Sequence, residues 1–395
     1  VLISAGDPSG DLLLSKILAR LKERAAPEPI EFVGLAGVHC EAVGARLLER
    51  SENVAVVGFL EVLTKLRSLF SILHRLIAEL PKVDSVILVD FPDFNFRLAR
   101  AAKKLSKPVD YVVAPQLWAW RRSRVNEMRR WVRRLYPALP FEETLFREAG
   151  VDTRFLGHPM RDLLPPKARR SSREALGLSQ DSFVVAVLPG SRSGEILRHM
   201  PMLIEASERL FNQRRRLFPL QQSLVFLMPL APGWDLERLR HLLPSSCQEK
   251  LKKLIEDRLW VVDTDSHRSL MASDFGWVAS GTATLEAAFY QVPHILIYRL
   301  SRVSAWIIQS MTSYFRNSDG MAGLPNLILG RKVIPELLQG DLDSKRLVSE
   351  TVELLTNASR LDEIKKSLRF VPKRMGEHGC SNRIADDLWE LWNRP

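Results

Sequence analysis

The stretch FVVAVLPGSRSGEI, Phe183 to Ile196, opens with six apolar residues, breaks at Pro189 and Gly190, and resumes with the pattern of a helix. It reads as a strand that turns directly into a helix, and most of the chain repeats that alternation. Working outward, the apolar runs are VLISA at the start, then EFVGLA, SVILVD (85–90), VDYVV (109–113), SLVFLMPL, WVVD, FGWVAS and HILIY. Helical patterns separate them. Strands alternating with helices mean βαβ units and parallel sheets, so the expected fold class is α/β with two doubly wound, Rossmann-like halves.

A chain of 395 residues, 46% hydrophobic and 26% charged, exceeds one ordinary core and has the composition of a soluble globular protein. The segment LLPPKARRSSREALGLSQDS, Leu163 to Ser182, is rich in Pro, Ser and charge and marks the boundary. The expected domains are 1–165, 166–365, and a C-terminal helical stretch, 366–395, packing back on the body through Trp389 and Trp392. No apolar run reaches the roughly 18 residues of a membrane span. The first residues read as a strand running into a turn, not as a signal peptide, and the absent initiator Met suggests a trimmed start. Cys40, Cys247 and Cys380 lie far apart without metal or disulfide spacing, which fits free thiols in a reducing cytoplasm.

The net charge is +11, and seven arginines against one acid fall between Arg121 and Arg134. With Trp118 and Trp120 just before it and Trp131 inside it, this segment is expected to attract phosphate or anionic lipid, with Arg121 and Arg122 in the contact surface. Phe59, Leu63, Leu66, Phe70, Leu73, Ile77 and Leu80 follow helical spacing. Most such stripes are core, but Leu60, Val62, Leu69 and Ile72 widen the arc beyond one packing face, and an acyl or membrane surface is the functional reading.

Two strand-to-helix loops carry the features of phosphate sites. In PGSR, Gly190 lets an anion approach the backbone, Ser191 adds a donor, Arg192 adds charge, and the helix N-terminus presents free N–H groups. In FGWVASGTATLEAAF, Phe275 to Phe289, the strand ends at Ser280, Gly281 and Thr282 make the turn, and Glu286 follows about one turn into the helix. There its carboxylate could accept from ribose hydroxyls; the bland reading is an acid beside a helix dipole. Two such loops in one half favour a nucleotide outside the strand ends. A third, ILVDFPDFNFRLAR (Ile87 to Arg100), ends a strand in Asp90, with Asp93 and Asn95 just beyond and three phenylalanines around them. Asp93 reads as a turn and helix cap. Asp263 to Asp265 (DTD) reads as turn and cap chemistry, and no metal site is expected there.

The ordered motifs AGDPSGD (Ala5 to Asp11), DFPDFNFRLA, PQLWAWR, PFE, FLGHPM, LPGSRSGEI, ASGTATLEAA and LPNLILGRKVIPELLQ (Leu324 to Gln339) closely resemble the lipid A disaccharide synthase family. The resemblance runs from residue 5 to about 340. It implies an inverting glycosyltransferase of the GT-B architecture, two halves facing a central cleft, using no metal and no cofactor. The implied substrates are UDP-2,3-diacylglucosamine and 2,3-diacylglucosamine 1-phosphate, joined β-1,6 with release of UDP at the cytoplasmic face of the inner membrane. Asp90 would be the base, its pKa raised by the phenylalanines; Arg192 and the amides near Gly190 and Gly281 would meet the leaving diphosphate. Asn326 would orient donor or phosphate, and Asp7, Ser9, Gly10 and Asp11 would line the acceptor side. An anionic membrane surface is an expected partner, nucleic acid is not, and a homodimer is left open.

The chain departs from the usual pattern at Asp7, where Glu is common, at Phe91, where a small residue is common, at Gln116, where Ser is common, and in SDGMAG before LPN. Two other readings compete. A UDP-sugar 2-epimerase would share the nucleotide loops but needs no greasy acceptor region. A basic nucleic-acid-binding protein would leave PGSR and SGTATLE without a role.

Overall fold

The computed structural model describes residues 1–54, 59–115, 124–219, 222–231, 233–299 and 320–393, and for 59–66 the backbone alone. The chain divides into two compact units, Val1–Leu163 with Met375–Pro395, and Leu164–Arg374. The division thus falls at the start of the Pro- and Ser-rich segment, and the chain returns to the first unit at Met375.

The first unit is one six-stranded parallel sheet of β1 (Leu2–Ala5), β2 (Val33–Ala36), β3 (Arg46–Arg50), β4 (Val86–Val89), β5 (Val109–Val112) and β6 (Arg134–Tyr136), in the order β3-β2-β1-β4-β5-β6. β1, β2, β4 and β5 are buried along their whole length, as strands covered on both faces must be. One face packs on the helices Phe59–Glu79 and Pro92–Lys104 through Ile72, Leu73, Leu76, Phe94, Phe96 and Leu98. The other packs on Pro8–Ala25 and on the C-terminal helix Cys380–Trp392, through Leu14, Ile17, Ile384 and Leu388.

Polar anchors fix that last helix in place. Asp162 accepts from the amides of Gly379, Cys380 and Ser381 at its N-terminus. Asp387 accepts from Arg134 at 3.0 Å and Tyr136 at 2.8 Å, and Trp392 Nε1 donates to Asp110 at 3.2 Å.

In the second unit, β7 (Phe183–Leu188), β8 (Leu224–Pro229), β9 (Trp260–Asp263), β10 (Phe275–Ala279), β11 (His294–Tyr298) and β12 (Glu336–Leu338) form the order β12-β11-β10-β7-β8-β9. All its pairs are parallel. Counted from its own first strand, this is the same winding as in the first unit. Trp260 and Trp277 are buried whole and donate to Ser207 and Thr351 on the helices Ser193–Leu217 and Ser344–Thr356.

The doubly wound order places a topological switch between β1 and β4 in the first unit and between β7 and β10 in the second. There the chain leaves adjacent strand ends toward opposite faces, and a crevice opens at the carboxyl edge. Among the described residues, no helix is long and apolar enough to cross a membrane.

Candidate functional site

At the first switch, β1 and β4 run side by side to Ala5 and Val89. Gly6 and Asp7 follow one, Asp90 and Phe91 the other. The two loops touch: a Cβ on Gly6 would lie 2.4 Å from Cγ of Phe91, so only glycine lets this ring cover the β1 turn. Asp90 and Phe91 both take left-handed backbone, φ 43° and 50°, which non-glycine residues hold only when their surroundings impose it.

Those surroundings are visible. The Asp90 N–H still donates to Val112 O at 3.0 Å, continuing the β4–β5 ladder, while its carbonyl turns out of the ladder. Tyr111 Oη donates to that carbonyl at 2.5 Å and Asn95 Nδ2 at 2.8 Å. The Asp90 carboxyl is half-buried and its pKa is pushed up to about 6, first by burial and then by the charge of Asp7, against a hydrogen bond from Phe91 N–H. That is a range useful to a base near neutrality. Phe91 is half-buried and stacks on Phe94, centroids 5.0 Å apart.

Of the other two phenylalanines of this stretch, Phe94 and Phe96 both lie in the core, Phe96 against Tyr111 and Trp131. Nor is Asp93 the cap of its helix. That helix starts at Pro92 after Phe91, and Asp93, in its first turn, pairs with Arg124 at 2.6 Å.

The four acceptor-side residues separate. Asp7 is the exposed N-cap of Pro8–Ala25, its Oδ1 accepting from Gly10 N at 2.8 Å. Ser9 is exposed in the first turn and Gly10 is buried there. Asp11 is a correction: it is 1% exposed and turned inward, accepting from the amides of Gly37 at 2.7 Å, His39 at 2.9 Å and Cys40 at 3.2 Å. A carboxylate bound by three amides of the β2 turn is a structural clamp.

At the second switch, Gly190 has φ 113°, and Ser191 and Arg192 follow it into the helix Ser193–Leu217. Glu195 folds back on this turn. Its Oε1 lies 3.1 Å from the Arg192 guanidinium, and its Oε2 accepts from the Ser191 and Arg192 amides. The donors expected to meet a diphosphate therefore face an internal carboxylate. Arg192 itself is 78% exposed at its side chain, free to redirect.

Across the switch, Ser280 and Gly281 follow β10, and Gly281 at φ 139° has open space where a Cβ would sit. Thr282 opens the helix Thr282–Phe289, and Glu286 lies half-buried within it. Burial raises the Glu286 pKa, opposed by His267, whose Nδ1 is 3.9 Å from its carboxylate. In the DTD turn, Asp263 is held by Arg268 and Ser269, and Asp265 caps the following helix.

Asn326 is the second correction. It is fully buried, with Nδ2 donating to Ile334 O at 2.9 Å and Glu336 Oε1 at 2.8 Å, while Oδ1 accepts from Val333 N at 2.8 Å and Ile334 N at 3.0 Å. Every hydrogen-bonding site of the amide is taken, so it ties LPN to the β12 approach and has nothing left for a ligand.

Of the surface residues, Phe70 is 43% exposed with Arg97 above its ring, whereas Leu73 belongs to the core. The side chains of Phe59, Leu63 and Leu66, and all of Trp118, Trp120, Arg121 and Arg122, lie outside the described residues. Within the arginine-rich segment, Arg124, Arg133 and Arg134 pair with Asp93, Asp110 and Asp152, which leaves Arg129 and Arg130 exposed.

Three residues escaped the sequence reading of the site. Asn95 passes for a turn former and Tyr111 for a strand residue, with no local pattern to single them out. Glu195 did have a signal, since an acid three residues after a helix cap is the spacing of a capping box.

A profile of the Lipid-A-disaccharide synthetase family matches residues 1–383. The lipid-A-disaccharide synthase of Myxococcus xanthus is 38% identical over 394 residues, 99% of this chain and 97% of that protein. The one from Syntrophus aciditrophicus is 36% identical over 389 residues, 98% of this chain and 96% of that protein. Among solved structures, the UDP-GlcNAc 2-epimerase of Neisseria meningitidis bound to UDP-GlcNAc has a TM-score of 0.61 at 10% identity, covering 98% of both chains. A UDP-glucosyltransferase from Polygonum tinctorium scores 0.59 at 14% identity, covering 100% of this chain and 98% of its own. Those two share the fold, the α/β GT-B class with two doubly wound sheets. The sequence relatives decide between them: the chain belongs to the lipid-A-disaccharide synthase family.

Proposed function

We propose that the chain joins UDP-2,3-diacylglucosamine to 2,3-diacylglucosamine 1-phosphate, giving the β-1,6-linked disaccharide 1-phosphate and UDP, with Asp90 as the base. That the protein is a hexosyltransferase of this family is given by its relatives; the acyl sugars and the residue roles are our reading. The observation that carries it is the state of Asp90: half-buried, held by a left-handed turn at a switch point, with a carboxyl whose pKa stands at about 6.

The carboxylate takes the proton of the acceptor's 6-hydroxyl as that oxygen attacks the anomeric carbon. The bond from that carbon to the diphosphate breaks on the opposite face, and the electron pair leaves with UDP. Charge that builds on the diphosphate needs donors, a role we assign to Arg192, Ser191 and the Gly281 turn. Glu286 receives the ribose hydroxyls. Exposed Phe70 under Arg97 supports contact with an anionic membrane surface at the cytoplasmic face, an apolar ring beside a cation.

The test is incubation with both acyl sugars and mass analysis of the lipid product. Wild type yields the disaccharide 1-phosphate. Asp90→Asn, which tolerates the same backbone, yields none while binding UDP as before; turnover at the wild-type rate rules Asp90 out. Arg192→Ala weakens UDP binding or slows the reaction, and unchanged affinity with unchanged rate removes Arg192 from the mechanism.

A further inference from the structure

We propose that Tyr111 and Asn95 are positioning residues for Asp90, two buried donors that hold its main-chain carbonyl and so aim the carboxyl; the proposal rests on Asp90 being the base.

The turn at the end of β4 is one that the chain does not adopt by itself. Two consecutive residues with side chains sit at positive φ, each costing on the order of 1 kcal/mol or more. Release would let Asp90 return to extended or right-handed backbone and swing its side chain to a new direction. What opposes release is concentrated on a single atom. The Asp90 carbonyl oxygen accepts from Tyr111 Oη at 2.5 Å and from Asn95 Nδ2 at 2.8 Å.

Both donors are themselves fixed. Asn95 Nδ2 also reaches Val89 O at 3.1 Å, and Asn95 Oδ1 accepts from Ser4 Oγ on β1 at 2.7 Å. Tyr111 stands on β5 with its ring against Phe96. Ser4, Asn95 and Tyr111 are all fully buried, so the donor side of these bonds is shielded from water. The ends of three neighbouring strands, β1, β4 and β5, thus converge on one strained turn, and that turn bears the half-buried carboxyl.

A network with no more than a stabilising role would place no particular demand on the Asp90 carbonyl. Here two of its donors meet on that atom, and the pair acts on catalysis through geometry without touching substrate. Loss of either lets the carboxyl move by a fraction of its own length, and a misplacement of about 1 Å costs a general base roughly tenfold to hundredfold in rate.

Tyr111→Phe removes one donor and keeps the buried ring. In the full chain we expect kcat to fall at least roughly tenfold with KM for the UDP-sugar little changed, and the acid limb of the pH–rate profile to move to lower pH as the carboxyl reaches water. Asn95→Ala, which removes the other donor, is read in the same way should Tyr111→Phe fail to fold. In an Asp90→Asn background, Tyr111→Phe should take nothing further from any residual rate. Wild-type kcat and an unmoved pH profile in both single variants overturn the proposal while leaving Asp90 as base, and so does an equal loss with and without Asp90. An Asp90→Asn enzyme at full rate removes the base itself, and that separate result is visible before either positioning variant is made.

Discussion

Glu195 Oε2 accepts the N–H of Ser191 at 3.2 Å, the place where a helix N-terminus ordinarily receives a phosphate oxygen. The Arg192 guanidinium is drawn to the same side chain. A diphosphate that takes these donors must displace a carboxylate and approach against its charge. Glu195→Gln keeps an oxygen for the two amides and removes the charge, so UDP should bind several-fold tighter, a gain of about 1 kcal/mol for like charges in partly wet surroundings. Calorimetric titration with UDP decides it. Equal or weaker binding would show that Glu195 holds the loop in shape rather than competing for it.

The raised pKa of Asp90 makes a linked claim about stability. Its folded value of about 6 lies above the ordinary 3.8, so between these the native state binds more protons than the unfolded one. Stability is therefore lost as pH rises through that interval, and the loss persists above it, amounting to roughly 2 to 3 kcal/mol. Asp90→Asn removes the titrating group and keeps a residue tolerant of left-handed backbone. It should denature at higher urea than wild type at pH 7.5 and show little difference at pH 4. A variant that is less stable than wild type at pH 7.5 contradicts the burial account. The rate of the wild-type enzyme should decline as pH falls through about 6, the direction in which this stability is regained.

Asn326 should behave as a structural residue. Asn326→Ala leaves the half-buried amide of Val333, the buried amide of Ile334 and the Ile334 carbonyl without their partners, at a cost of roughly 2 to 3 kcal/mol. Urea unfolding should show that loss, while kcat and KM measured well below the melting temperature stay within a few-fold of wild type. A collapse in kcat with unchanged stability would return Asn326 to the chemistry.

What the sequence made legible follows from burial. β1, β2, β4, β5, β7, β8, β10 and β11 are interior strands, covered on both faces, and their continuous apolar runs were found. The three strands that escaped, β3 (RLLER), β6 (RLY) and β12 (ELL), are all sheet edges, where pairing on one side suffices and charged residues guard against further pairing. The site divides on similar lines. The places of Asp90, Gly190 and Gly281 just past strand ends were readable because strand ends and helix starts have local signatures. Whether a polar residue faces a ligand or the interior does not: Asp11 and Asn326 look like site residues in their motifs, yet their partners are at Gly37 to Cys40 and at Val333 to Glu336, contacts that only folding supplies. Tyr111 was silent for the same reason, its partner lying across the sheet.

Gly6 and Phe91 offer the most direct check on the turn that carries Asp90. The three atoms nearest a Cβ at Gly6 all belong to the Phe91 ring, at 2.4, 2.5 and 2.8 Å. The ring has little room to yield, being stacked on Phe94 and rooted in left-handed backbone. Gly6→Ala should therefore push the turn, cutting activity and destabilising the fold by roughly 1 to 3 kcal/mol, the usual cost of overpacking. Because a single side chain takes the clash, Phe91→Ala in the same protein should relieve it: the double variant should unfold at higher urea, and turn over faster, than Gly6→Ala alone. Phe91→Ala by itself forfeits the stacking on Phe94 and the cover over Gly6. Four urea transitions and four rates complete the cycle. Additive losses would mean that the ring does not cover Gly6, and that the contact between the β1 and β4 loops is not what holds this edge of the crevice.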